Sequence, residues 1–164
     1  MLHGCTHSFS QLANEVLPDL MAKLRERMAV APPLRSLPDP FEVIPNARGA
    51  YVWMISGNPI YVGITNQLRR RVRDHVAGDP SRANLAVRMA ANALGTSTSQ
   101  VKRHVGFKSA FGAAREALMD GAIAYLEIEN SMVLYLFEPY CAMELDTAEF
   151  NRFDTLQILS PRTR

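Results

Sequence analysis

Long apolar runs are missing from this sequence, and no stretch approaches the roughly 20 residues that a helical membrane span needs. Cysteine is scarce: Cys5 and Cys141 are the only two in 164 residues. One lies near an end and the other in an apolar, helix-like run, which argues against a disulfide framework and for a reducing compartment. No histidine or cysteine stands near Cys141 at metal-site spacing, so Cys141 reads as core. The first residues carry neither the basic segment nor the cleavage pattern of a secretion signal. The expectation is a cytoplasmic protein with no membrane partner. Internal repeats are absent too. What is present is an apolar share of 48%, which excludes wholesale disorder and suits one domain that buries about two thirds of its unfolded surface.

The formal net charge of +2 conceals a segregation. Residues 1–68 hold five basic and five acidic side chains, residues 69–116 ten and three, and residues 117–164 three and eight. A middle segment this basic suits phosphate, whose bound counterions it would release. A solvated helical surface paired with the acidic last third is the alternative. The candidate nucleic-acid contacts are Arg69, Arg70, Arg73, Arg82, Arg88, Lys102, Arg103 and Lys108.

Apolar residues between Phe9 and Met28 recur at steps of three and four, the mark of an amphipathic helix. Ser8 or Ser10 can cap it, and Pro18 predicts a kink or a division into two. Five prolines between Pro32 and Pro45 predict an extended linker. Residues 1–48 are therefore expected to form an N-terminal helical arm and Pro-rich linker, and residues 49–164 the main domain. If that domain cannot cover the arm's apolar face, a second copy of the chain can, giving a homodimer.

Gly49 to Ile55 and Ile60 to Ile64 read as strands joined through Ser56-Gly57-Asn58-Pro59 into a hairpin. A helix capped by Thr65 or Asn66 follows, with Leu68, Val72, His75 and Val76 inward. Helices over about 82–94 and 107–119 make a basic insertion at about 78–122. A third strand, Ile123 to Ile128, precedes a long helix from Ser131, which Pro139 is expected to bend. The fold class is α/β of the α+β type: a small mixed or antiparallel three-stranded sheet flanked by helices.

Chemistry concentrates between Gly49 and His75. Tyr51 and Tyr61 lie ten residues apart on adjacent strands, so a hairpin can bring both hydroxyls to one face. Gly63 allows close backbone approach beside them. Arg71 and His75, at i and i+4, share a helix face. Two phenols, a guanidinium and an imidazole in one pocket can relay protons and hold a phosphate. Trp53, Met132 and Met143 are assigned to packing. Taken singly, each of these residues has an ordinary structural explanation; it is the ordered set that points to a site.

The set resembles the GIY-YIG nuclease superfamily. Gly49-Ala50-Tyr51 stands where the family has Gly-Ile-Tyr, Tyr61-Val62-Gly63 is a variant of the second half-motif, and Leu68 to Arg71 resembles the family's leucine-x-x-arginine helix. Phe137-Glu138-Pro139-Tyr140 and Phe150-Asn151-Arg152-Phe153 resemble its later elements. The resemblance implies a metal-dependent endonuclease acting on nucleic acid, double-stranded DNA before RNA, with Mg2+ or Mn2+ as cofactor. By the same resemblance Tyr51, with His75 or Tyr61, activates a water; Arg71 stabilises the phosphate; Glu138 holds the metal; and Asn151 orients the site. Glu127 and Glu129 compete with Glu138 for the ligand role. The long stretch over 78–122 and the proline directly after Glu138 depart from compact family members. The alternative, from another class, is a non-catalytic nucleic-acid-binding module that retains the nuclease fold; a third reading is a protein-interaction role for the first helix and the middle segment.

Overall fold

In the computed structural model, which describes residues 4–151, the chain begins with a helix whose interruption follows from one proline. Ser8 closes a capping box with Gln11 at the start of α1 (Phe9–Gln11). The helix then widens into a π turn over Leu12–Val16 and resumes as α2 (Leu17–Val30), with Pro18 in its first turn. Pro18 has no N–H to give, and the first turn is where a helix tolerates that. The expected break is thus a change of helical pitch within one run of helix. Buried Leu17, Met21 and Leu24 lie on one side of α2.

Strands β1 (Gly49–Ile55) and β2 (Asn58–Thr65) form the expected hairpin. Its turn needs two left-handed residues, supplied by Ser56 at φ 52° and Gly57 at φ 79°. The pairing slips between Trp53, opposite Tyr61, and Met54, opposite Pro59, so Ile60 bulges out of the ladder. After β2 come α3 (Leu68–His75), α4 (Asn84–Ala93) and α5 (Phe107–Asp120), with a short 3-10 turn at Val101–Arg103. Strand β3 (Ala122–Glu127) joins the other side of β1, and α6 (Ser131–Glu144) closes the described fold. The sheet is antiparallel throughout, in the order β2-β1-β3. Asn130 rather than Ser131 caps α6, accepting from the N–H groups of Met132 and Val133. The helix runs through Pro139 without interruption.

Alternation along β1 builds two cores. Ala50, Val52 and Met54 face α2 and α6, packing with Leu24, Phe137 and both buried, unpaired cysteines. Burial raises the Cys141 thiol to about 12, so it stays protonated. Tyr51 and Trp53 face the other way, toward α3, α4 and α5, among Leu68, Leu85 and Leu118. The 78–122 insertion is therefore the second helical layer of the domain. The proline linker joins this layer too, through buried Leu34 and Ile44. The arm's apolar face is covered by its own sheet, which removes the packing reason for expecting a homodimer. No helix among the described residues is long and apolar enough to cross a membrane.

Because Leu24 is fully buried between α2 and the sheet, Leu24→Ala should lower the stability of the whole domain by about 2–5 kcal/mol. It should do so in a single urea transition. Two separate transitions, with only the first one shifted, would show that the arm folds as an independent unit.

Candidate active site

The hairpin register creates the site. Tyr51 sits opposite Gly63 and Trp53 opposite Tyr61, so both tyrosines project from the same sheet face, with ring centres 6.1 Å apart. Gly63 is required there: a Cβ at that position would lie 2.5 Å from the Tyr51 hydroxyl and ring. The Tyr51 ring thus crosses β2 over a residue without a side chain and reaches α3.

The linker fixes α3. Neither Thr65 nor Asn66 caps it; Gln67 holds the cap position with no side-chain bond. The first N–H groups, of Leu68 and Arg69, donate instead to the linker carbonyls of Ala47 and Pro45. The Arg69 guanidinium binds the Ile44 carbonyl at 2.8 Å and pairs with Glu42, so Arg69 fastens the linker. Held in this way, α3 turns Val72 and His75 into the core.

His75 is fully buried, and its Nε2 lies 2.6 Å from the Tyr51 hydroxyl. The imidazole stands edge-on to Trp53 and Tyr61, at 5.4 and 5.6 Å. Its Nδ1 has no hydrogen-bond partner among the described residues. Burial, reinforced by the charges of Arg71 and Arg88, lowers its pKa to about 3, so the ring is neutral. Tyr51 is driven well above the ordinary phenol range by burial, and further by Tyr61, against the pull of Arg71. Arg71 is half-buried within hydrogen-bonding reach of both phenols; burial opposes its charge, and the two oxygens more than offset that. Arg71 also lines a polar cleft of 420 Å³, with Thr65, Asn66, Gln67, Arg70 and Asp74.

Of the five residues expected to share one pocket, Tyr51, Tyr61, Arg71 and His75 come together without Glu138, and the roles of the four divide. Tyr51 and His75 are sealed from solvent, and only Tyr61 and Arg71 are partly exposed. Deleting the Tyr51 hydroxyl would strip a buried imidazole of its hydrogen bond, so Tyr51→Phe disturbs the fold as well as the chemistry. Asn151 acts at one remove. Its amide accepts from the Val62 N–H at 2.8 Å and donates to the Val62 carbonyl at 2.7 Å, clamping the backbone between Tyr61 and Gly63. Arg152 and Phe153 lie outside the described residues.

Glu138 stands on α6, a helix that packs on the opposite sheet face. No hydrogen bond or ion pair joins it to either tyrosine among the described residues. It is nonetheless coupled to the site: burial raises its carboxyl above the ordinary range, and the charge of Arg88 opposes that. Among the described residues no group of three or more His, Cys, Asp or Glu side chains could hold a metal. A divalent ion would therefore rest on one protein carboxylate, waters and substrate oxygens. A half-buried Glu138 that forms no ion pair among the described residues fits that use. Glu127 and Glu129 are exposed at and just beyond the end of β3, the sheet edge opposite β2.

The remaining basic residues separate into groups. Arg82 pairs with Asp74, Arg73 covers the Phe41 ring at 5.3 Å, and Arg70 bonds Gln67. Lys102, Arg103 and Lys108 are exposed and form no ion pair among the described residues. Arg88, grouped by sequence with the surface cations, is half-buried beside Tyr61. The signal was present: it is the one charged residue of α4, Asn84 to Ala93, in an otherwise apolar and small-residue run.

No family model, no curated protein and no solved structure matches the chain.

The depressed His75 pKa makes stability depend on pH. An unfolded histidine takes up a proton near pH 6.5, whereas the folded one resists until about 3. Between these values the unfolded state binds more protons, so stability is full above about 6.5 and falls as the pH drops. Urea titrations should show a loss approaching about 1.4 kcal/mol per pH unit from this one residue, and His75→Gln should flatten the curve. A variant that keeps the parent's slope would show that His75 takes up its proton equally in the folded and unfolded states.

Proposed function

We propose that the chain is a metal-dependent endonuclease of the GIY-YIG type that hydrolyses phosphodiester bonds in duplex DNA. The observation that carries this reading is the convergence of Arg71, Tyr61 and the sealed Tyr51–His75 pair beside an open polar cleft. A lone structural contact would not need two phenols and an imidazole packed together beside one guanidinium. In this reading Arg71 binds the scissile phosphate and meets the charge that develops on it. Tyr61, the partly exposed phenol, orients the attacking water. Tyr51 keeps its proton and His75 stays neutral, so the pair serves as a fixed scaffold that sets the Tyr61 ring and the Arg71 guanidinium. Asn151 holds Val62 and thereby the two residues beside it. Glu138 is the residue that would hold Mg2+ or Mn2+, and such an ion supplies Lewis acidity at the phosphate. Lys102, Arg103 and Lys108 supply free charge for the flanking backbone. The reading accounts for three further features: a half-buried carboxylate without an ion pair among the described residues, a buried histidine held uncharged, and a glycine beside Tyr51 where a Cβ would clash.

With supercoiled plasmid and Mg2+ or Mn2+, the protein should nick or linearise DNA. Glu138→Ala and Arg71→Ala should reduce cleavage by at least about 100-fold, the scale for losing a group aimed at developing charge. Tyr61→Phe should slow cleavage with little change in thermal midpoint. Neutralising Lys102, Arg103 and Lys108 together should lessen the slope of log affinity against log salt by about 0.9 for each phosphate that is no longer neutralised. Salt-dependent binding with no cleavage under any of these conditions would replace the enzyme by a binding module of the same fold.

A further inference from the structure

Arg88 is placed unlike the other basic residues of the middle segment. It projects from α4 across the second sheet face, and its guanidinium carbon lies 5.9 Å from the centre of the Tyr61 ring. One nitrogen donates to the Phe150 carbonyl at 2.5 Å. A guanidinium has five N–H donors, and Arg88 forms no ion pair among the described residues. It also lines a small cleft with Asn92, Thr96 and Thr98, whose amide and hydroxyls suit a phosphate backbone. The carboxylate in that cleft, Glu149, accepts from Asn92 at 2.6 Å. A half-buried cation without a counter-ion is costly unless an anion completes its surroundings.

We propose that Arg88 is a second phosphate-binding cation of the site, meeting the scissile phosphate from across Tyr61 while Arg71 meets it from α3. This rests on the nuclease reading and assigns Arg88 a role that the GIY-YIG resemblance does not supply. Its carbonyl anchor uses one nitrogen, and among the described residues no other hydrogen-bond partner takes up the rest of the guanidinium, which suits a bidentate contact with phosphate oxygens. The ring of Tyr61 holds it from below. The charge of Arg88, with that of Arg71, is felt at His75, and it is also felt at Glu138. Arg71 and Arg88 both act on His75, so the site carries two cations that can draw in a phosphate, with Asp74 already paired to Arg82 and Glu149 bonded to Asn92.

The test compares the full-length parent, Arg88→Met and Arg88→Lys. Three quantities are read for each: plasmid cleavage with Mn2+, the salt dependence of binding to a short duplex with Ca2+, and the thermal midpoint. Arg88→Met should cut at least about 100-fold more slowly and lose about 0.9 from the salt slope. Arg88→Lys should keep the slope and recover part of the rate. An Arg88→Met variant that cuts within threefold of an active parent overturns the proposal and leaves the nuclease reading standing. Equal losses in both variants, matched by equal drops in midpoint and an unchanged slope, also overturn it, because Arg88 would then be an anchor for Phe150 alone. If the parent cuts nothing, the nuclease reading falls. The salt slope then decides the phosphate contact by itself: a drop in Arg88→Met keeps it, and an unchanged slope removes it.

Discussion

A single buried hydrogen bond, between Tyr51 and His75, sets the positions of everything around it. An imidazole with no solvent contact must be uncharged and must have a partner for at least one nitrogen. Tyr51 supplies that partner by reaching across β2, and it can do so only because Gly63 presents no side chain. The requirement then spreads outward. The hairpin must keep the register that pairs Tyr51 with Gly63, and Asn151 holds β2 to it through Val62. The linker carbonyls must fix the first turn of α3 so that His75 meets the phenol. Once His75 is placed, Arg71, one turn earlier on the same helix, is brought close enough to interact with both tyrosines.

Helices on both sheet faces make this rigid. The arm and α6 fill one core; α3, α4, α5 and the proline linker fill the other. Trp53, which reads from sequence as packing, forms the floor beneath His75. The long stretch between α3 and β3 reads as an elaboration because nothing in its sequence fixes it to the sheet. Its helices in fact enclose Trp53 and carry Arg88 to Tyr61.

Much of this was legible in the residues themselves. Alternation along Gly49 to Ile55, the Ser56-Gly57 turn and the i, i+4 pair of Arg71 and His75 are local patterns, and local patterns survive folding when tertiary packing agrees with them. What was not legible depended on distant chain. The cap of α3 is made by carbonyls some twenty residues earlier, which no reading of Thr65 or Asn66 reveals. Pro18 looks like a break because the sequence does not show that a π turn precedes it. The separation of a sealed Tyr51 from a partly exposed Tyr61 follows from which helices cover the sheet. Glu138 carries the same lesson: its helix is evident, but its packing on the far face is not.

Electrostatics gives the site its direction. Burial leaves Tyr51 protonated and His75 uncharged, so the charged groups at hand are Arg71, Arg88 and Glu138, besides Asp74, paired to Arg82, and Glu149, bonded to Asn92. Such an arrangement favours an anion that can also share an ion with the carboxylate, and a phosphodiester meets both conditions. The most direct test is a crystal structure of the protein with a short DNA duplex and Ca2+. The account predicts a phosphate within hydrogen-bonding distance of Arg71 and Tyr61, with the ion bridging that phosphate to Glu138. A duplex bound across another surface, with Arg71 untouched and no ion at Glu138, would contradict it.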